Sequence, residues 1–117
     1  MRVNTTQTAV IIEGNKNGFL SLSNMINVYS VYLYDPIVLT DFEFVTSKFK
    51  VEIVEDHNEF PFGFAVRESK EKFKWKISET NLCVAICSLH SLGYANKELH
   101  FDSDLKATDI SVYCIVK

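Results

Sequence analysis

Cys83, Cys87 and His90 are the side chains whose types and spacing come nearest to chemistry, in the stretch 72–93, KFKWKISETNLCVAICSLHSLG. On a helix each falls about one turn from the next along one side, a spacing that can present thiolates and an imidazole to one metal ion or a thiol to a neighbouring base. A fourth metal ligand would have to come from His57 or His100, and no CxxC or HExxH motif accompanies the three. A cysteine in mid-helix also lacks the helix N-terminus that lowers a thiol pKa. With only four glycines the chain has no phosphate-cradling loop and no dinucleotide fingerprint, and no Gly-x-Ser-x-Gly is present. The expectation is therefore buried, reduced thiols with an interfacial histidine, no metal, no cofactor and no catalytic residue. An enzyme using Cys87 and His90 is the rival reading.

The second chemical feature is charge. Asp41, Glu43, Glu52, Glu55, Asp56 and Glu59 fall close together against two lysines, Lys48 and Lys50, and the sign then reverses through Arg67, Lys70, Lys72, Lys74 and Lys76. Neighbouring strands would let these acids and lysines pair across a sheet. A net charge of −3 opposes any general affinity for nucleic acid. Tyr29, Tyr32 and Tyr34, or Phe60, Phe62 and Phe64, have the chemistry of a base-stacking platform, but their positions read better as core packing.

These residues are positioned by elements legible in the pattern. Phe73, Trp75 and Ile77 alternate with Lys72, Lys74 and Lys76, the period of a half-buried strand. Leu82, Ala85, Ile86, Leu89 and Leu92 then switch to helical spacing, and Gly93 stands where a left-handed residue would end the helix. Upstream, residues 3–13 read as one strand. Phe19, Leu22, Ile26, Tyr29 and Leu33 predict a helix with Asn17, Ser21 or Ser23 as N-cap, closed by Asp35-Pro36. Residues 37–45 read as a short strand or extended edge. Segments 48–55, 62–68 and 72–78, joined by short turns, predict a three-stranded antiparallel meander. A short strand at 98–101 and a last one at 109–117 complete the set, the last apolar on both faces and so either central or covered by another subunit.

The chain's 117 residues make one domain, 1–117, and 47% apolar content suits a packed globule rather than a disordered chain. An odd cysteine count reads as thiols kept reduced. The first residues contain too short an apolar run for a secretory signal, and no run is long enough to span a membrane. The expected location is the cytoplasm.

The segments FKWKISETNL, HSLGYANKELHF and DISVYCIVK resemble stretches of small bacterial immunity proteins of the kind paired with contact-dependent growth inhibition toxins. The resemblance covers about the carboxy-terminal third and includes no catalytic signature. It implies a cytosolic, non-enzymatic inhibitor that binds the C-terminal toxin domain of its own system, commonly a nuclease, and blocks its active site or substrate groove. It carries over no interface residues, so the expected contacts rest on charge alone. An acidic surface suits a basic, phosphate-binding cleft, and Asp41, Glu43, Glu52, Glu55, Asp56, Glu59, Asp102 and Asp104 are the residues expected to form it. A structural or oligomerisation module without a toxin partner is the other alternative. The expected fold is α+β, a single antiparallel sheet of about five to six strands with two helices packed on it.

Overall fold

A computed structural model describes residues 1–30, 36–56, 64–94, 97–101 and 110–117. Among them lie two helices and two mixed β-sheets. The first sheet holds β1 (Arg2–Thr5), β2 (Ala9–Gly14), β4 (Thr46–Ser47), β8 (Glu98–His100) and β9 (Ser111–Val116), in the order β4-β1-β2-β9-β8. The second holds β3 (Ile37–Val38), β5 (Lys50–Glu55), β6 (Phe64–Arg67) and β7 (Lys72–Ile77), in the order β3-β5-β7-β6. Ala65 and Ile110 join the sheets through reciprocal backbone hydrogen bonds of 2.9 and 3.0 Å.

The α+β class and the two helices are as expected, but the single antiparallel sheet is not. The meander fails at one step: β5 lies parallel to β7, and β6 pairs antiparallel with the other edge of β7. Two physical reasons favour this order. Residues 56–63 separate β5 from β6, more chain than the two to five residues of a tight hairpin. The parallel register also sets Val51 and Ile53 beside Phe73 and Trp75 on the core face, while Glu52 falls among lysines on the other. In the first sheet, the expected strand over 3–13 is two antiparallel strands. The turn between them is tied by Thr6 N donating to Ala9 O (2.8 Å) and Thr8 N donating to Thr6 Oγ1 (3.3 Å). β9 is central, parallel to β2 and antiparallel to β8.

Helix α1 (Lys16–Ser30) begins earlier than its apolar stripe suggests, because Asn15 is the cap. Its side-chain oxygen accepts from Gly18 N at 2.7 Å. Helix α2 (Glu79–Ser91) is capped by Ser78, whose hydroxyl accepts from Asn81 N at 3.2 Å. It ends before Gly93, which takes φ 95° as its position predicts. The helices pack against each other. Phe19, Leu22 and Ile26 of α1 and Leu82, Ala85 and Leu89 of α2 are buried, meeting a core that includes Phe73, Trp75 and Ile77. Full burial of a side chain the size of Phe73 contributes roughly 2–3 kcal/mol. Trp75 packs on Phe101 with ring centroids 5.0 Å apart. The radius of gyration is 12.8 Å, that of a compact globule. Among the described residues no helix is long and apolar enough to cross a membrane.

Candidate partner-binding surface

The connector after β3 carries two exposed acids, Asp41 and Glu43. Ile37 of β3 and the connector's own Leu39 and Val45 are buried, which fixes the backbone and leaves Asp41 and Glu43 facing solvent. A single 3-10 turn, Leu39–Asp41, closes with Phe42 N donating to Leu39 O at 3.3 Å. Val45 N then donates to Phe42 O at 2.9 Å, and Thr40 Oγ1 accepts from Val51 N at 3.3 Å, tying the turn to β5. Asp41 is therefore held on a rigid support rather than at a free loop tip.

Three aromatic rings run alongside. Tyr29, near the end of α1, stacks on Phe42 with centroids 5.9 Å apart and planes 19° apart, and Phe42 stacks on Phe44 at 5.9 Å and 27°. Tyr29 is 47% exposed. Its ring borders a hollow of about 260 Å³ formed with Pro36, Ile37, Val38, Asp41 and Phe42. On its other side Asp41 borders a second hollow, about 350 Å³, where Thr40, Lys48, Lys50, Glu71 and Lys72 supply the polar groups. One carboxylate thus stands between an apolar recess and a charged one, with an amphipathic aromatic beside it. That combination suits protein recognition, in which aromatic anchors and a few oriented charges dominate.

The other expected contacts are placed differently. Glu52 is 7% exposed, with Lys50 Nζ at 3.4 Å and Lys72 Nζ at 3.5 Å from its Oε1, so it presents no outward carboxylate. Lys72 and Lys74 reach Glu68 at 3.2 and 3.5 Å. The cross-strand pairing of acids with lysines is realised here. Hydrogen bonding to Lys72 holds the Glu68 carboxyl below its usual pKa, and bonding to Glu68 raises that of Lys72. Glu55 and Asp56 are half-buried where β5 ends. Glu59, Asp102 and Asp104 lie outside the described residues, as do Tyr32, Tyr34, Phe60, Phe62 and His57.

The expectation of three buried thiols is corrected. Cys83 and Cys87 are exposed, and only Cys114 is buried, its pKa pushed well up by the loss of water around it. The reason is angular: Leu82, Ala85 and Leu89 point into the core, and positions 83 and 87 fall well round the helix from that line. His90 is exposed on the same helix, and neither it nor Cys87 borders the hollows around Asp41. His100 stacks on Tyr113 at 5.0 Å and lies 3.5 Å from Glu98. Among the described residues no three His, Cys, Asp or Glu side chains are grouped to hold a metal ion.

Tyr29, Phe42 and Phe44 were hidden in the sequence because their spacing matches core positions equally well. The signal available was that Tyr29 sits at the edge of its helical stripe. No family model, curated protein or solved structure matches the chain.

Proposed function

We propose that this chain is an immunity protein that binds the C-terminal toxin domain of its own system, a nuclease, in the cytoplasm and covers its active site or substrate groove without catalysing a reaction. The observation that carries the reading is the exposed Tyr29 stacked on Phe42 beside the outward carboxylate of Asp41, between two hollows. Tyr29 offers a rigid apolar anchor with a polar tip. Asp41 and Glu43 place two outward carboxylates here, of the sign that a phosphate-binding cleft attracts, beside a hollow that Lys48, Lys50 and Lys72 also line. Among the described residues Asp41 and Glu43 with the aromatic row are the contacts we propose, and Glu52 is set aside because lysines already occupy it.

The reading requires a toxin gene beside this one, and the test is co-expression with the C-terminal domain that gene encodes. Growth should be restored, and the two purified proteins should elute together with the nuclease inactive. Absence of a complex, with the nuclease fully active in the presence of excess protein, overturns the proposal.

A further inference from the structure

Cys83 and Cys87 have no part in the surface around Asp41, and the fold sets them where a pair of thiols can act together. Both are exposed, four residues apart within α2. Burial was the ground for expecting no metal at these thiols, and the helix removes it by turning them outward. Residues at i and i+4 stand one above the other on a helix, with Cβ atoms about 5–6 Å apart. A disulfide needs Cβ atoms about 3.5–4.5 Å apart, so an intact helical turn keeps the pair as two thiols. Two metal–thiolate bonds of about 2.3 Å each span the same gap. The turn that carries them is fixed at both ends, because Ser78 caps α2 and the chain leaves it at Gly93.

We propose that Cys83 and Cys87 form a two-coordinate site for copper(I) on the outer side of α2. The donor set selects the ion. Structural zinc asks for four ligands, and among the described residues no three His, Cys, Asp or Glu side chains are grouped. Calcium and magnesium ask for oxygen. Copper(I) is soft, prefers sulfur and is satisfied by two thiolates in line. The nearest hydroxyls are turned back to the backbone: Ser88 Oγ donates to Val84 O at 2.9 Å, and Ser91 Oγ to Cys87 O at 3.0 Å. Between Glu79 and His90 the helix has no titratable side chain other than these two thiols, and His90 lies a further turn along. Each thiol gives up its proton on binding, so two protons leave as one ion enters. Because both residues are exposed, the ion can exchange in from a carrier without opening the fold. The inference is independent of the inhibitor reading.

Copper(I) offered to the reduced protein in the absence of oxygen, as its coloured bicinchoninate complex, tests the proposal. The protein should withdraw one copper per chain with no change in sedimentation. Cys83→Ser and Cys87→Ser should each lower the affinity at least about tenfold, and His90→Ala should bind as the unsubstituted chain does. All three side chains are exposed, so the circular dichroism of the variants should be unchanged. Bound copper should also shield both exposed thiols from iodoacetamide. Failure to withdraw copper from the chelator overturns the site, as does equal affinity in the variant lacking both cysteines. A loss in His90→Ala as large as in the cysteine variants overturns the two-thiolate assignment. One copper per two chains, with faster sedimentation, puts the ion between molecules and overturns it as well.

Discussion

The Lys72 ammonium lies 3.5 Å from the Glu52 carboxylate, across two neighbouring strands that run parallel. The Cα partner of Glu52 is Lys74, so the contact is diagonal, and Lys50 approaches the same oxygen at 3.4 Å. A carboxylate this buried depends on its cations. Glu52→Gln should lower unfolding stability by about 1–2 kcal/mol. Urea denaturation should show a lower midpoint with an unchanged slope. Because Glu52 points to lysines and not outward, the same variant should leave partner association unaltered.

The Glu68–Lys72 pair adds a pH dependence whose sign is fixed. The folded pKa of Glu68 lies below its unfolded value, so its contribution is present above the unfolded carboxylate pKa, about 4.3, and is lost as pH falls through the folded value. The folded pKa of Lys72 lies above its unfolded value, so its share is complete below about 10.4 and is lost as pH rises through the folded value. The stability gap between the unsubstituted chain and Glu68→Gln should be constant through neutral pH and close at both extremes. A gap that widens on acidification contradicts this assignment.

Thiol reactivity should divide two to one. Cys83 and Cys87 are exposed, while Cys114 is fully buried and disfavours the thiolate. A thiol-exchange reagent should titrate two thiols in the native protein and the third only when denaturant is added. Cys83→Ser and Cys87→Ser should each remove one fast equivalent without lowering the thermal midpoint.

Gly93 ends α2 at φ 95°, and a Cβ there would meet the Lys16 Cβ at 3.2 Å. Gly93→Ala should cost about 1–2 kcal/mol, from the left-handed backbone conformation together with the crowding. The lysine whose ammonium covers Tyr94 is the one that must move. Thermal unfolding of the variant should therefore begin earlier, and Asn or Ser at 93 should not restore it fully.

The local elements were readable where one period dominates. Phe73, Trp75 and Ile77 alternate without interruption, and Leu82, Ala85, Leu89 and Gly93 mark a helix and its end. The pairing of strands was less readable, because periodicity is a property of one strand and register a property of two. Nothing in VEIVE and KFKWKI states that they lie parallel. Only the match of Glu52 with the lysines hints that they are neighbours. The turn between β1 and β2 has no signature in the sequence because Thr6, Gln7 and Thr8 include no Gly, Pro or Asn, its turn chemistry coming from the Thr6 hydroxyl. The acids of the candidate surface were legible as charge but not as exposure: Asp41 and Glu52 look alike in the sequence and end in opposite environments.

Asp41 and Tyr29 should affect binding in separable ways, and the separation tests the proposed surface. A carboxylate at the edge of a contact acts mainly during approach, through a field that salt screens within about 10 Å at 0.1 M. Asp41→Asn should therefore lower the association rate a few-fold at low ionic strength and flatten its salt dependence, while leaving dissociation nearly unchanged. Tyr29 is an anchor, its ring half out of water and stacked on Phe42. Tyr29→Ala removes area that is buried only in the complex, and should speed dissociation by a factor corresponding to about 2 kcal/mol. Folding stability should fall by less than that, because Tyr29 is exposed and Phe42 keeps its contact with Phe44. Surface plasmon resonance against the toxin domain at two salt concentrations resolves the two rates. Equal effects of both variants on dissociation would place Asp41 inside the contact rather than at its edge, and no effect of either would move the interface away from this surface altogether.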